Sequence, residues 1–244
     1  PAFWLLSQSR GRLLGSLALI SGGTVALAGG SRYAMLGYGL LAMIFVLVMT
    51  RGLPTSQRKG LLIGAPIALA ALVGLLLLAS PSLQQRIADT LIILDGVDRH
   101  TLNLALSHRL DIWEPALALA SDNWLFGTGP SQITAAIKPY LPPDSIFVTQ
   151  NIDVMHAHQV LIEVLVGTGA IGLICFIAYY VRVGVIAWRQ RGASATFGWG
   201  CLLAFLLMWM PFGSQKDIYG SEQMLLSFYL LGLGFGFLRN RETA

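Results

Sequence analysis

Charged side chains are scarce: they make up 11% of the 244 residues against 55% hydrophobic ones, and the mean hydropathy is +0.67. A soluble domain carries about 25% charged residues, so this deficit excludes an ordinary water-soluble fold and points to an integral membrane protein. Cysteine is nearly absent too. The two present, Cys175 and Cys201, lie inside apolar runs, which argues against a disulfide framework. The 12 acidic residues are scattered, and no Asp-Asp or Asp-x-Asp pair suggests a divalent metal bound to a nucleotide sugar. The phosphate loop of ATP-driven pumps and the Gly-x-Ser-x-Gly elbow of serine hydrolases are missing as well. The net charge of +4 comes without a basic soluble domain, so no nucleic acid partner is expected. There is neither a starting Met nor a signal-peptide pattern, and "PAFWLLSQSR" has a mid-sequence character. The expectation is a segment of a longer polytopic protein.

What the chain does have is long apolar runs. A spanning helix needs about 20 mostly apolar residues, and six stretches qualify: 13–29, 33–50, 60–79, 159–181, 195–213 and 222–238. Three expected parts follow: three membrane helices in 1–79, a polar insert with helices in 80–157, and three membrane helices in 158–244. Orientation follows from the cations in the connections. Ten fall on one side (Arg10, Arg12, Arg51, Arg58, Lys59, Arg182, Arg189, Arg191, Arg239, Arg241) and six on the other (Arg32, Arg86, Arg99, Arg109, Lys138, Lys216). The richer side, with the short "RGLPTSQRK" connection, is expected in the cytoplasm. The insert is then extracytoplasmic, a small helical cap on the outer membrane surface.

Inside the insert, "TLNLALSHRLDIWEPALALASDNWLF" repeats apolar residues at helical spacing through Leu102, Leu106, Leu110, Trp113 and Leu117. Arg109 and Trp113 stand four apart and share a face, and Pro115 permits a kink or a second helix start. "FGTGP" ends the pattern, and "LPPDS" makes another break.

Several residues could carry chemistry. His158 lies at the expected start of the fourth helix, where backbone N–H groups lack partners. It is either a general acid or base, imidazole being suited to proton transfer near neutral pH, or an interfacial residue that caps the helix. His156 and His158 could both ligate zinc, but nothing nearby completes a set of three or four ligands, so no metal and no cofactor are expected. Arg32, in "GGSRYAML", either binds a phosphate through its planar guanidinium or snorkels to lipid headgroups. Arg86 and Arg109 carry the same two readings. Arg109 adds Trp113 as a stacking surface for sugar, with Asp111 or Glu114 as local ion-pair partners. Arg99, Lys138 and Lys216 read as solvated surface charges. Glu163, one turn into an apolar helix, either orients His158 or bonds a neighbouring helix. Gly169 and Gly172, three apart, form a smooth face that admits another helix.

In order and spacing these residues resemble the superfamily of O-antigen ligases and Wzy-type polymerases. Its ligases carry His, then Asn, Ser or Gln, then nine residues, then Gly-x-x-Gly and usually Thr or Val. Here His158 and Gln159 precede residues 160–168, then Gly169, Ala170, Ile171 and Gly172, with Leu173 as a departure. Ser31 and Arg32 match the family's Ser-Arg pair at an outer helix end. Ser9 and Arg10 are a rival match, but charge topology puts them inside. Arg109 and Trp113 match an Arg followed closely by Trp in the periplasmic loop. "NWLFGTGP", residues 123–130, is similar to the loop's "PlfGtGp" segment, with Trp124 where Pro is common.

The resemblance covers about residues 30–190 and implies an all-α polytopic membrane protein, a GT-C-like helical bundle with a large periplasmic helical loop, in the bacterial inner membrane. It further implies transfer of a glycan from undecaprenyl pyrophosphate to a lipid A core sugar hydroxyl on the periplasmic side, among membrane lipids. Arg32 and Arg109 would neutralise the pyrophosphate and His158 would take the acceptor proton, giving metal-independent transfer with inversion. Arg86, Trp113, Trp124, His156 and Gln159 are the expected substrate contacts. A repeat-unit polymerase and a protein O-oligosaccharyltransferase share this architecture, and a transporter of the same lipid-linked glycan would use the arginines without breaking a bond.

Overall fold

The computed structural model of the chain describes Gly37, Gly39 and residues 54–79, 81–189, 197–210 and 217–239. The expected first two spans therefore lie outside the described residues, apart from the two glycines, as do Arg32, Ser31 and the rival Ser9 and Arg10.

Among the described residues every regular element is helical. Helix α1 (Thr55–Ala79) covers the expected third span and takes residues 55–59 of the "RGLPTSQRK" connection into its own first turns. Only Ser80 separates it from α2 (Pro81–Leu91), which packs on α1 and on α3 (Arg99–Ala105). Asp98 starts α3 with a capping box: its carboxylate accepts the Thr101 N–H at 2.7 Å, and its own N–H donates to the Thr101 Oγ1 at 3.1 Å. Two orphan donors of the first turn are thereby satisfied.

The periodic pattern that suggests one continuous helix is interrupted. Ser107 and His108 both adopt left-handed conformations (φ 56° and 60°), so α3 ends and α4 (Leu110–Asp122) begins afresh. Pro115 sits inside α4. The buried face of α4 is Ile112, Ala116, Leu119 and Ala120, whereas Leu117 is 48% exposed. Of the apolar stripe drawn through Trp113 and Leu117, Trp113 packs against this core and Leu117 faces away from it.

After α4 come three short elements: α5 (Ile133–Ala136), a 3-10 turn at Lys138–Tyr140, and α6 (Ile146–Thr149). Ile133, Ile137, Val154 and Ala157 close over α4 in one apolar cluster, which Val166 of the next helix completes. The insert therefore has a core, and that core is shared with α7 (Val160–Arg189). Among the described residues α7 is the helix long and apolar enough to cross a membrane, by length and composition. It packs with α8 (Phe197–Met208) and α9 (Ser221–Arg239) through Val183, Ala187, Leu202, Phe205, Trp209 and Leu231. Polar groups in this packing are paired. Trp209 Nε1 donates to Ser227 Oγ at 2.7 Å, and the Tyr180 hydroxyl donates to the Leu206 carbonyl at 2.7 Å.

α7 is not one continuous helix. Gly169 has φ 66° and ψ −168°, a region open essentially to glycine alone, and splits the helix into two arms. In an unbroken helix the carbonyls of Val166 and Gly167 would accept the N–H groups of Ala170 and Ile171. Here the segment after α4 takes those places. Thr128 N–H donates to the Val166 carbonyl (2.8 Å) and Gly129 N–H to that of Gly167 (3.0 Å), while Ala170 N–H donates to the Trp124 carbonyl (2.7 Å). The Thr128 hydroxyl adds a second bond to Val166 at 3.1 Å. A Cβ on Gly169 would collide with the Leu125 and Phe126 backbone, and one on Gly127 (φ 71°) with the backbone of Val166, Gly167 and Gly169. The reading of Gly169 and Gly172 as a face for another helix is therefore corrected. Gly169 admits a loop into a helix break, and the missing Cβ of Gly172 makes room for the Thr168 side chain of its own helix.

Candidate active site

The site forms where the insert's core meets the first turn of α7. Gln159 caps this turn: its Oε1 accepts the Ile162 N–H at 2.7 Å, and its carbonyl accepts the Glu163 N–H at 2.9 Å. His158 directly precedes this capping residue. It is half-buried, in a left-handed conformation (φ 55°). For a residue with a Cβ that conformation costs about 1–2 kcal/mol. The His156 ring lies against the His158 ring, with centroids 3.9 Å apart and planes tilted by 56°.

What holds the turn is the residue in between. Ala157 is fully buried, its N–H donates to Glu163 Oε2, and its carbonyl accepts Trp113 Nε1 at 2.9 Å. Glu163 is itself only 4% exposed. An isolated buried carboxylate is expensive, and a hydrogen bond to the backbone offsets part of that cost.

Arg109 is placed by a second local network. It is the residue before α4 and is half-buried, and its carbonyl accepts the Trp113 N–H at 2.8 Å, so the expected four-residue relation between them holds. Asn103, buried at the end of α3, fixes that start: its Oδ1 accepts the Leu110 N–H (3.1 Å) and its Nδ2 donates to Asp111 (2.8 Å). Arg99 engages both carboxylates that the sequence offered to Arg109, reaching Asp111 at 3.3 Å and Glu114 at 2.7 Å. Glu114, the nearer, together with Asp111 raises the Arg99 guanidinium pKa further above its ordinary value. Lys138 pairs with Asp153 at 2.9 Å. Lys216 lies outside the described residues.

The remaining expected contacts are spread out. Trp124 is 61% exposed, and its carbonyl belongs to the helix break rather than to the His158 turn. Arg86 is on α2, which packs on α1 and α3. His156, His158 and Gln159 are thus together at the start of α7, and Trp113 reaches them through Ala157. Among the described residues no cluster of three His, Cys, Asp or Glu side chains could hold a metal ion.

The sequence reading passed over Tyr219. Its hydroxyl is buried against Gly167, where a Cβ would lie 2.6 Å from the oxygen, and no hydrogen bond of normal geometry satisfies it. Burial pushes the phenol pKa above its ordinary value; the nearby Thr168 side chain opposes this, and the charges of Glu163 and Asp217 add to the rise. Gly167 was the available signal, since a glycine between bulkier residues marks close approach by another group. Tyr140, at the edge of the insert, is raised by its 2.6 Å hydrogen bond to Asp122.

These features define a class: a helical protein with an apolar helix long enough to cross a membrane, broken by an inserted loop, with imidazoles at its N-terminal end. The family model of O-Antigen ligase matches residues 16–177, more than half of the chain, and the chain belongs to that family. Its members are membrane-associated, glycosyltransferase-like ligases and polymerases. Comparison with curated proteins and with solved structures yields no match.

Proposed function

We propose that the chain acts as an O-antigen ligase of the bacterial inner membrane, moving a glycan from undecaprenyl pyrophosphate to a lipid A core sugar on the periplasmic side. The observation that carries this reading is His158, a non-glycine residue kept in a left-handed turn before an apolar helix, in a chain of the O-antigen ligase family. The acceptor hydroxyl attacks the anomeric carbon of the donor sugar. The new C–O bond forms as the bond to the pyrophosphate breaks, and the electron pair leaves with undecaprenyl pyrophosphate. The hydroxyl proton passes to His158, and direct displacement inverts the anomeric centre.

Arg109 and Arg32 neutralise the charge that develops on the pyrophosphate, the electrostatic part of the catalysis. With that leaving group no metal or cofactor is required. Arg86 adds a phosphate contact. His156, Gln159, Trp113 and the exposed Trp124 face the glycan, whose sugars stack on aromatic rings. The three-part organisation of 1–79, 80–157 and 158–244 sets the insert over the outer ends of the membrane helices.

The test is transfer in vitro with the full-length protein, undecaprenyl-pyrophosphate-linked glycan and lipid A core, in EDTA. Wild type is expected to transfer and His158→Ala to lose transfer. Equal rates for the two proteins would overturn the role of His158. Donor binding without transfer to lipid A core, polysaccharide or protein acceptors would favour a transporter.

A further inference from the structure

The buried carboxylate of Glu163 has a use that helix capping does not account for. Its own turn is already capped by Gln159. Instead of bonding an N–H of its own helix it reaches back six residues, to the N–H of Ala157. The opposite side of the same residue is taken by Trp113, from a different helix, at 2.9 Å. Ala157 is therefore clamped at both its N–H and its carbonyl, and it directly precedes His158, whose φ of 55° is the conformation the clamp must hold. A carboxylate at the head of an apolar helix is costly to bury, so a chain that needed only a helix start would lose little by replacing it.

We propose that Glu163 is a positioning residue of the transfer reaction: with Trp113 it fixes the Ala157 backbone and thereby the direction in which the His158 imidazole meets the acceptor hydroxyl. The proposal rests on the reading of His158 as the base. Glu163 touches neither donor nor acceptor, so its removal should disturb the chemical step and leave donor recognition intact. Glutamine retains an oxygen that can accept the Ala157 N–H and should serve in its place, whereas alanine cannot.

The experiment uses full-length protein with undecaprenyl-pyrophosphate-linked glycan and lipid A core, and measures kcat and donor KM for wild type, His158→Ala, Glu163→Ala and Glu163→Gln. Glu163→Ala is expected to lose kcat on the order of 10- to 100-fold, the usual effect of a misplaced catalytic group, with donor KM unchanged. Glu163→Gln is expected to recover most of that loss. Wild-type kcat in Glu163→Ala while His158→Ala is inactive would overturn the positioning role alone. The same holds for a change confined to KM, or for Glu163→Gln as impaired as Glu163→Ala. An active His158→Ala would overturn the underlying reading. Should Glu163→Ala fail to fold, Trp113→Phe removes the other half of the clamp. It is expected to show the same kcat loss, and an unchanged kcat there would refute the proposal.

Discussion

Two places along α7 put a residue at positive φ, and they hold it by opposite means. At the break, Gly169 adopts its conformation without a Cβ to oppose it, and the gap is closed by main-chain hydrogen bonds from residues 124–129. At the helix start, His158 takes a left-handed conformation despite its Cβ, and side chains hold its neighbours: Glu163 and Trp113 on Ala157, and Gln159 on the first turn. Where only shape is needed, glycine and backbone suffice. At the helix start a residue with a Cβ is kept left-handed at a cost, as Ser107 and His108 are before α4, but here side chains from two helices brace its neighbours. The proposed function places chemistry at the braced start of the helix and architecture at its break.

The contrast can be broken most severely at the glycines. Gly169→Ala adds a Cβ that collides with the Leu125 and Phe126 backbone and demands a conformation open essentially to glycine. The expected loss is about 3 kcal/mol or more, read as a fall in thermal stability of the purified protein, with transfer lost alongside. A milder probe of the same region is Thr128→Val, which keeps the shape and the main-chain bond but deletes the hydroxyl bond to Val166. It should cost about 1 kcal/mol and leave transfer close to wild type. A fall in activity without a fall in stability there would mean that the break takes part in the chemistry.

Much of the helical layout was legible in the sequence because it rests on apolar runs: α1, α7 and α9 fall where long stretches of low polarity do. Arg109 and Trp113 were legible as neighbours because helical spacing carries through a helix start. The interruption at Ser107 and His108 was not, since no glycine or proline marks it and the leucines on both sides keep the same period. Gly169 and Gly172 were visible as a motif, but glycines three apart read equally as a packing face. The partner that decides the matter lies some 40 residues upstream in "FGTGP". Glu163 was legible as an anomaly in an apolar helix, but its partner is the N–H of Ala157, and a backbone group leaves no signature in residue identity.

The smallest change in stability carries the most direct test of the comparison. His158→Gly removes the imidazole and also the Cβ that makes the left-handed turn costly, so it should be more stable than His158→Ala by about 1 kcal/mol. The decisive measurement is glycan transfer by that glycine variant in full-length protein, with its fold verified by thermal unfolding. A folded His158→Gly with no transfer is the predicted result, and a folded His158→Gly that transfers glycan at the wild-type rate would contradict the account.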